Sequence, residues 1–261
     1  MTDGEAREPR VRLFVDADLA PGASVGLAPS QAHYLKHVMR MDPGGVVAVF
    51  NGRDGEWLAR IDGLGRGWAS LGLVSLRREQ TREPDLWLVF APIKRARIDF
   101  LAEKATELGV RALWPVFTRR SVITRVNTDR LRANAVEAAE QSERLTVPEV
   151  FEPATFAELV ERWPPDRRLV VCDESGGGAP IAEALADARA EAGAEWALLT
   201  GPEGGLTRSE LDALGRLPFV TRVGLGPRVL RADTAAVAAL ACWQALLGDW
   251  RVERRSRATE S

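Results

Sequence analysis

The 261-residue chain is poor in the side chains that most often announce chemistry, with 2 Cys, 2 His, 1 Tyr and, by count along the sequence, only 3 Lys. Two cysteines, each inside an apolar run, exclude a disulfide framework. They read as buried structural thiols, and the cytosol is the expected compartment. His33 and His37 stand four residues apart and share no ligand spacing with the cysteines, so no metal site is expected. Both histidines fall early in the chain, which leaves no Ser/His/Asp constellation to build. No apolar stretch approaches the roughly 20 residues that span a bilayer, and the polar amino terminus has no signal-peptide core, so no membrane partner is expected. Neither G-x-x-x-x-G-K-[ST] nor a G-x-G-x-x-G after a strand occurs, which excludes the P-loop and the dinucleotide fingerprint. The nearest imitation, at residues 62–67, lies between two expected strands and reads as a hairpin turn.

Charge is present but unevenly spread. The formal net charge is −2, yet residues 91–132 hold ten Lys/Arg against four Asp/Glu, and residues 149–212 five against fourteen. A basic segment fits an anionic partner such as RNA rather than DNA, and it fits equally a solvated face in an Arg-rich chain. The candidate RNA contacts are Arg12, His33 and Arg40 near the amino terminus, then Lys94, Arg95, Arg97, Arg119 and Arg120.

Hydrophobic patterning divides the chain. Residues 11–16, 46–51, 56–61 and 68–76 are short β-branched or aromatic runs separated by Asn-Gly and Asp-Gly steps. One helix over 31–39, capped by Ser30, interrupts them, and the expectation is a small barrel over residues 1–78. A charged stretch at 76–85 marks the boundary. From residue 85 strands and helices alternate through residue 251, which predicts a parallel sheet covered on both faces. A polar tail follows at 252–261.

The organising stretch is 197–247. Two buried strands, at 196–200 and 219–225, each empty into a glycine loop, GPEGG (201–205) and GPRVLR (226–231), and each loop opens a helix. Both loops should reach the C-terminal edge of the sheet, where open α/β folds bind ligands. Thr207 and Glu210 form a capping box, which places exposed N–H groups at Gly205 and Leu206. Arg228 and Arg231 flank Val229 and Leu230, an aliphatic slot of adenine size. Asp233 is expected to cap an Ala-rich buried helix over 234–247. A third element is the expected helix over 129–144, where Glu137, Glu140, Gln141 and Arg144 share a face at i, i+3, i+4 spacing.

GPEGG followed by Leu-Thr-x-x-Glu, the later LGPRVLR with Asp233-Thr234-Ala235, and EA-x-EQS-x-R-x-x-VP at 137–148 together resemble the ribosomal RNA small subunit methyltransferase E family, of the SPOUT class. Glu103-Lys-Ala-Thr-Glu-Leu-Gly-Val110, Arg119-Arg-Ser-Val122 and His33-Tyr-Leu with Val38-Met-Arg40 and Gly44 extend the resemblance over essentially the whole chain. Departures are Ala232-Asp233 for Thr-Glu, Tyr34 for a second histidine, and Arg130-Leu131 for Arg-Trp. The resemblance implies a PUA-like β-barrel before a SPOUT-like α/β domain with a parallel sheet and a trefoil knot. It also implies a homodimer, S-adenosylmethionine as cofactor, and methylation of N3 of a specific uridine in 16S rRNA of the small ribosomal subunit.

Carried over by position, the cofactor pocket comprises Leu199, Thr200, Gly201, Glu203, Gly204 and Gly205 on the first loop. Leu225, Gly226, Arg228, Val229, Leu230 and Arg231 form the second, and Thr234 and Ala235 close the site. Uracil N3 is a poor nucleophile until its proton leaves, so the reaction needs donors toward the flanking carbonyl oxygens and a proton acceptor. Arg144 or Arg231 supplies the donors. Glu140, Gln141 or Glu203 orients the base or accepts the proton. Two alternatives are a SPOUT enzyme acting on another RNA such as tRNA, and a non-catalytic ribosome-assembly factor that would have no need of the glycine loops.

Overall fold

The computed structural model describes residues 8–191 and 193–251. The tail expected at 252–261 lies outside the described residues, as does the side chain of Arg95. The chain divides into two compact units, Met1–Arg82 with Ala139–Val147, and Glu83–Ala138 with Pro148–Ser261.

The first unit is built on a five-stranded sheet. Its elements are β1 (Arg12–Phe14), β2 (Ser24–Leu27), α1 (Pro29–His33), β3 (Val46–Phe50), β4 (Glu56–Gly65) and β5 (Trp68–Arg78). The order is β1-β3-β4-β5-β2, with only β1 and β3 parallel. Apolar residues at period two (Leu13, Val47 and Val49, Ala59 and Ile61, Leu71 and Leu73) point to one core. The strand Ser24–Leu27 is not among those expected, because Gly26 and two exposed positions dilute its pattern. The 62–67 stretch is mostly strand, and the reversal narrows to Arg66-Gly67, where Gly67 takes φ +75°. Ser30 does not cap α1. Pro29 occupies the first helical position, so Ala28 is the extended cap residue, and its N–H donates to Gln31 Oε1 at 3.2 Å. The helix continues as a π-helical turn, Tyr34–Val38.

Arg12, expected among the RNA contacts, turns inward. Its side chain is 11% exposed, and its guanidinium donates to Glu56 Oε2 at 2.6 Å and to the carbonyls of Ala139, Glu140 and Arg144 at 2.7–2.9 Å. Arg77 and Arg78 complete the ring of cations around the buried Glu56 carboxylate. Burial alone would raise the Glu56 carboxyl; hydrogen bonds from Arg78 and Arg12 override it and hold the group below its usual range.

The second unit follows the expected alternation. Its elements are β6 (Leu86–Phe90), α2 (Arg95–Glu107), β7 (Ala112–Phe117), α3 (Thr128–Gln141, whose last turn belongs to the first unit), β8 (Glu149–Val150), β9 (Ala154–Thr155) and α4 (Phe156–Glu161). Then come β10 (Arg168–Cys172), β11 (Ala179–Pro180), α5 (Ile181–Asp187), β12 (Trp196–Thr200), α6 (Arg208–Leu214), β13 (Val220–Gly224) and α7 (Ala232–Leu246). The sheet order is β11-β13-β10-β12-β6-β7-β8, all parallel, and β9 adds to β7. Strand residues alternate between two cores. Leu88, Val170, Cys172, Leu198 and Val223 meet α2, α5 and α7, while Val89, Leu169, Val171 and Leu199 meet α4 and α6. Hence the near-continuous hydrophobic runs of β6, β10 and β12, buried on both faces, whereas β13, expected to be buried, lies nearer the sheet's edge and buries only Val223.

The helix expected over 129–144 stops at Gln141. Glu143 adopts φ +61°, a left-handed residue that ends the helix, so Arg144 does not share the face of Glu140 and Gln141. Asp233 does not cap α7. Arg231 is the extended cap residue, and Asp233 sits in the first turn, where Arg97 Nη1 donates to both its oxygens at 3.0–3.1 Å. Of α7, Ala236, Ala239, Leu240, Trp243 and Gln244 are buried, and the opposite face is only half covered. Cys172 is buried as expected, but Cys242 on α7 is only partly so.

Candidate functional site

Three strands define the site. β10 lies between β12 and β13, so three loops leave the same edge side by side. Parallel strands end their backbone ladders together there, and the groups beyond are free to meet a ligand. A cavity of about 300 Å³ opens between these loops, at the lower end of the range for small-molecule sites. From the β12 loop it is lined by Thr200, Gly201, Pro202, Glu203 and Gly205. From the β13 loop come Gly224 through Ala232, then Ala235 from α7.

The first loop is held from two sides. Glu210, 2% exposed, accepts the Thr207 N–H and Oγ1–H at 2.7 Å each, and also the Arg119 N–H at 2.8 Å. Arg120 Nη1 donates to the Gly204 carbonyl at 2.7 Å. The capping box expected at Thr207 therefore also anchors the segment after β7. Gly205 takes φ +68°, a conformation in which any side chain is strained.

Of the residues assigned to the pocket from sequence, Thr200, Gly201, Glu203, Gly205, Leu225, Gly226, Arg228, Val229, Leu230, Arg231 and Ala235 line the cavity. Three do not. Leu199 points into the core shared with Leu206 and Leu211, because alternation turns it away from the edge's open side. Gly204 faces Arg120. Thr234 is exposed on the first turn of α7.

The third wall is absent from the expected set. Cys172, Asp173, Glu174 and Gly176, at the end of β10, also line the cavity. Asp173 Oδ1 accepts the Ser175 N–H at 2.9 Å and Oγ–H at 2.6 Å, and its Oδ2 accepts Arg222 Nε at 3.0 Å and also Nη2. Burial would raise the Asp173 carboxyl, but the Ser175 and Arg222 bonds dominate and hold it below its usual range. Burial, with the nearby Glu174 charge, pushes the Cys172 thiol up to about 12, so this cavity-lining sulfur is a protonated wall rather than a nucleophile. The signal available in the sequence is the strand RLVVC running into Asp-Glu-Ser-Gly, the same strand-to-glycine arrangement as at the two glycine loops.

The remaining candidates are described each within its own unit. Glu140, Gln141 and Arg144 belong to the first unit. There the Phe14 N–H donates to Glu140 Oε1 at 2.9 Å, and the buried Arg144 donates to Thr146 Oγ1 at 3.0 Å, while Gln141 is exposed. The exposed His33 and His37 rings lie with centroids 4.6 Å apart, tilted by 37°, and Arg40 is exposed with φ 51°. Lys94, Arg119 and Arg120 are exposed in the second unit, whereas Arg97 is committed to Asp233.

Comparisons with known proteins fit this geometry. Residues 81–244 match the model of an RNA methyltransferase domain, and residues 27–68 that of an RNA methyltransferase PUA domain. The chain is 34% identical to the ribosomal RNA small subunit methyltransferase E of Synechocystis sp., covering 90% of this chain and 78% of that one. It is 30% identical to the protein of that name from Rickettsia conorii, over 88% and 93%. The crystal structure of the Neisseria gonorrhoeae protein of the same name, bound to S-adenosyl methionine, superposes with a TM-score of 0.81 at 29% identity, covering 92% of this chain and 99% of that one.

Proposed function

Since the chain belongs to the ribosomal RNA small subunit methyltransferase E family, we propose that it transfers a methyl group from S-adenosylmethionine to N3 of a uridine in 16S rRNA, the one at position 1498. The observation that carries this reading is the three-walled cavity at the edge of the parallel sheet. The residues present fit the cofactor. Leu225, Val229, Leu230 and Ala235 offer an apolar slot for a flat base. Glu203, Arg228 and Arg231 offer acceptors and donors for its polar end. When bound, S-adenosylmethionine supplies a methyl group already activated on a sulfonium.

The chain's own residues then have two tasks at uracil. Arg231, exposed at the cavity mouth, donates to the carbonyl oxygen on which negative charge grows as N3 loses its proton, and keeps its own proton throughout. Glu203, also exposed at the mouth, accepts that proton directly or through one water. Gln141, exposed in the first unit, is offered as a contact to the RNA, while the buried Arg144 and the half-buried Glu140 fix its turn. His33, Arg40, Lys94, Arg119 and Arg120 hold the surrounding RNA through phosphate and shape. The half-covered face of α7, with Val237, Ala238, Ala241 and Cys242, supports a homodimer. Among the described residues no helix is long and apolar enough to cross a membrane.

The test is methyl transfer to undermethylated small subunits, naked rRNA and tRNA by the purified full chain. The subunit should be the preferred acceptor. Arg231→Ala should reduce kcat by about a hundred- to a thousandfold, the usual loss for one charge-stabilising donor. A wild-type rate from a folded Arg231→Ala protein refutes the assigned role, and preference for tRNA refutes the substrate.

A further inference from the structure

β10 is the middle strand of the three that build the cavity, so the residue that follows its end stands between the two glycine loops. Asp173 is spent on Arg222 and Ser175, and that pinning fixes the turn on which Glu174 is carried. Glu174 itself lines the cavity, and among the described residues no group donates to its carboxylate. Its Oε1 lies over the bare Cα of Gly205, where any Cβ would overlap it. An ordered turn thus holds a carboxylate that has no donor among the described residues on the wall of the pocket, in space left by a glycine.

Building on the reading of this cavity as the S-adenosylmethionine site, we propose that the Glu174 carboxylate accepts hydrogen bonds from the ribose hydroxyls of the cofactor. A vicinal diol presents two O–H donors side by side, which matches two acceptor oxygens of one carboxylate. The same solution recurs in doubly wound sheets, where a carboxylate on the strand beside the glycine loop takes a ribose hydroxyl. Reading the sulfonium charge is the weaker use of this group. Glu174 is solvent-exposed, so its Coulombic attraction is screened, whereas a hydrogen bond closed by the ligand is local.

Calorimetric titration of the full-length protein separates these uses. The ligands are S-adenosylmethionine, S-adenosylhomocysteine and the 2′-deoxy form of the latter, on wild type and Glu174→Gln. The expected result is equal weakening of the first two ligands by the variant, about tenfold or more, from loss of a charge-assisted bond. Removing the 2′-hydroxyl should weaken binding to wild type and add little further loss in Glu174→Gln. Wild-type affinity in the variant overturns the proposal, as does a loss confined to the sulfonium-bearing ligand. Failure of wild type to bind either cofactor form would remove the cofactor reading itself, a different outcome from an unchanged variant. Circular dichroism of both proteins guards against misfolding, which the exposure of Glu174 makes an unimportant contributor.

Discussion

Replacing Arg12 by Ala separates a structural arginine from an RNA-binding one. The substitution removes the 2.6 Å ion pair to Glu56 and three hydrogen bonds to the carbonyls of Ala139, Glu140 and Arg144. These partners are 44 to 132 residues away in sequence, so the loss falls on tertiary structure rather than on β1 alone. The Glu56 side chain is 2% exposed and Arg12 11%, so the discount appropriate to surface pairs does not apply. Breaking one partner out of a buried pair costs about 3–5 kcal/mol, and Arg77 and Arg78, still beside Glu56, put the expectation near the lower figure. Urea unfolding followed by tryptophan fluorescence should show a destabilisation of about 3 kcal/mol. Arg12→Lys should recover little of it, since an ammonium cannot reach a carboxylate and three carbonyls in one geometry. The salt dependence of RNA binding should stay at the wild-type slope. An unchanged unfolding midpoint, together with a slope shallower by about 0.7–0.9 for one phosphate no longer neutralised, would refute the reasoning and restore Arg12 as an RNA contact.

Three further outcomes are expected. The Glu56 and Asp173 carboxyls are held low in the folded protein, so their contribution to stability is complete above the unfolded carboxyl range near pH 4. It is lost as pH falls through the lower folded values, and thermal midpoints should drop steeply on acidification from pH 5 to pH 3. With the Cys172 thiol pushed up to about 12, iodoacetamide at pH 8 should alkylate it at least about a thousandfold more slowly than free cysteine, as read by peptide mass mapping; rapid labelling would contradict the burial argument. Glu210→Ala leaves the Thr207 and Arg119 N–H groups without their acceptor and should cost about 1–3 kcal/mol in denaturant unfolding, with no cost if solvent replaces the carboxylate freely.

What can be read from residues alone follows the range of the interactions involved. The glycine loops, the capping box at Thr207 and the alternation of strand and helix are local patterns, and the structure contains them. The cap of α1 lies two residues before the expected one because Pro29 decides where that helix starts, and Ser30 only resembles a cap. The end of α3 falls short of expectation because Arg144 continues a helical periodicity that a left-handed Glu143 interrupts. Arg12 sits between Val11 and Leu13 and reads as an outward cation on a half-buried strand; its true partners arrive from residues 139–144. The β10 wall escapes notice for a different reason. Its Asp-Glu-Ser-Gly turn is ordinary in itself, and only the insertion of β10 between β12 and β13 makes it part of a site.

That strand order also has a consequence for how the protein is made. β12 fills the position between β10 and β6, and it is synthesised after both. Until residue 200 has left the ribosome, β10 and β6 each present an unsatisfied edge of apolar backbone, and β13, the other neighbour of β10, comes later still. Pairings that wait for distant sequence form slowly, and open edges invite association with other chains. The nascent protein therefore passes through a long interval in which a half-built sheet is exposed, and a holdase that covers strand edges should raise its soluble yield more than one acting on the finished chain.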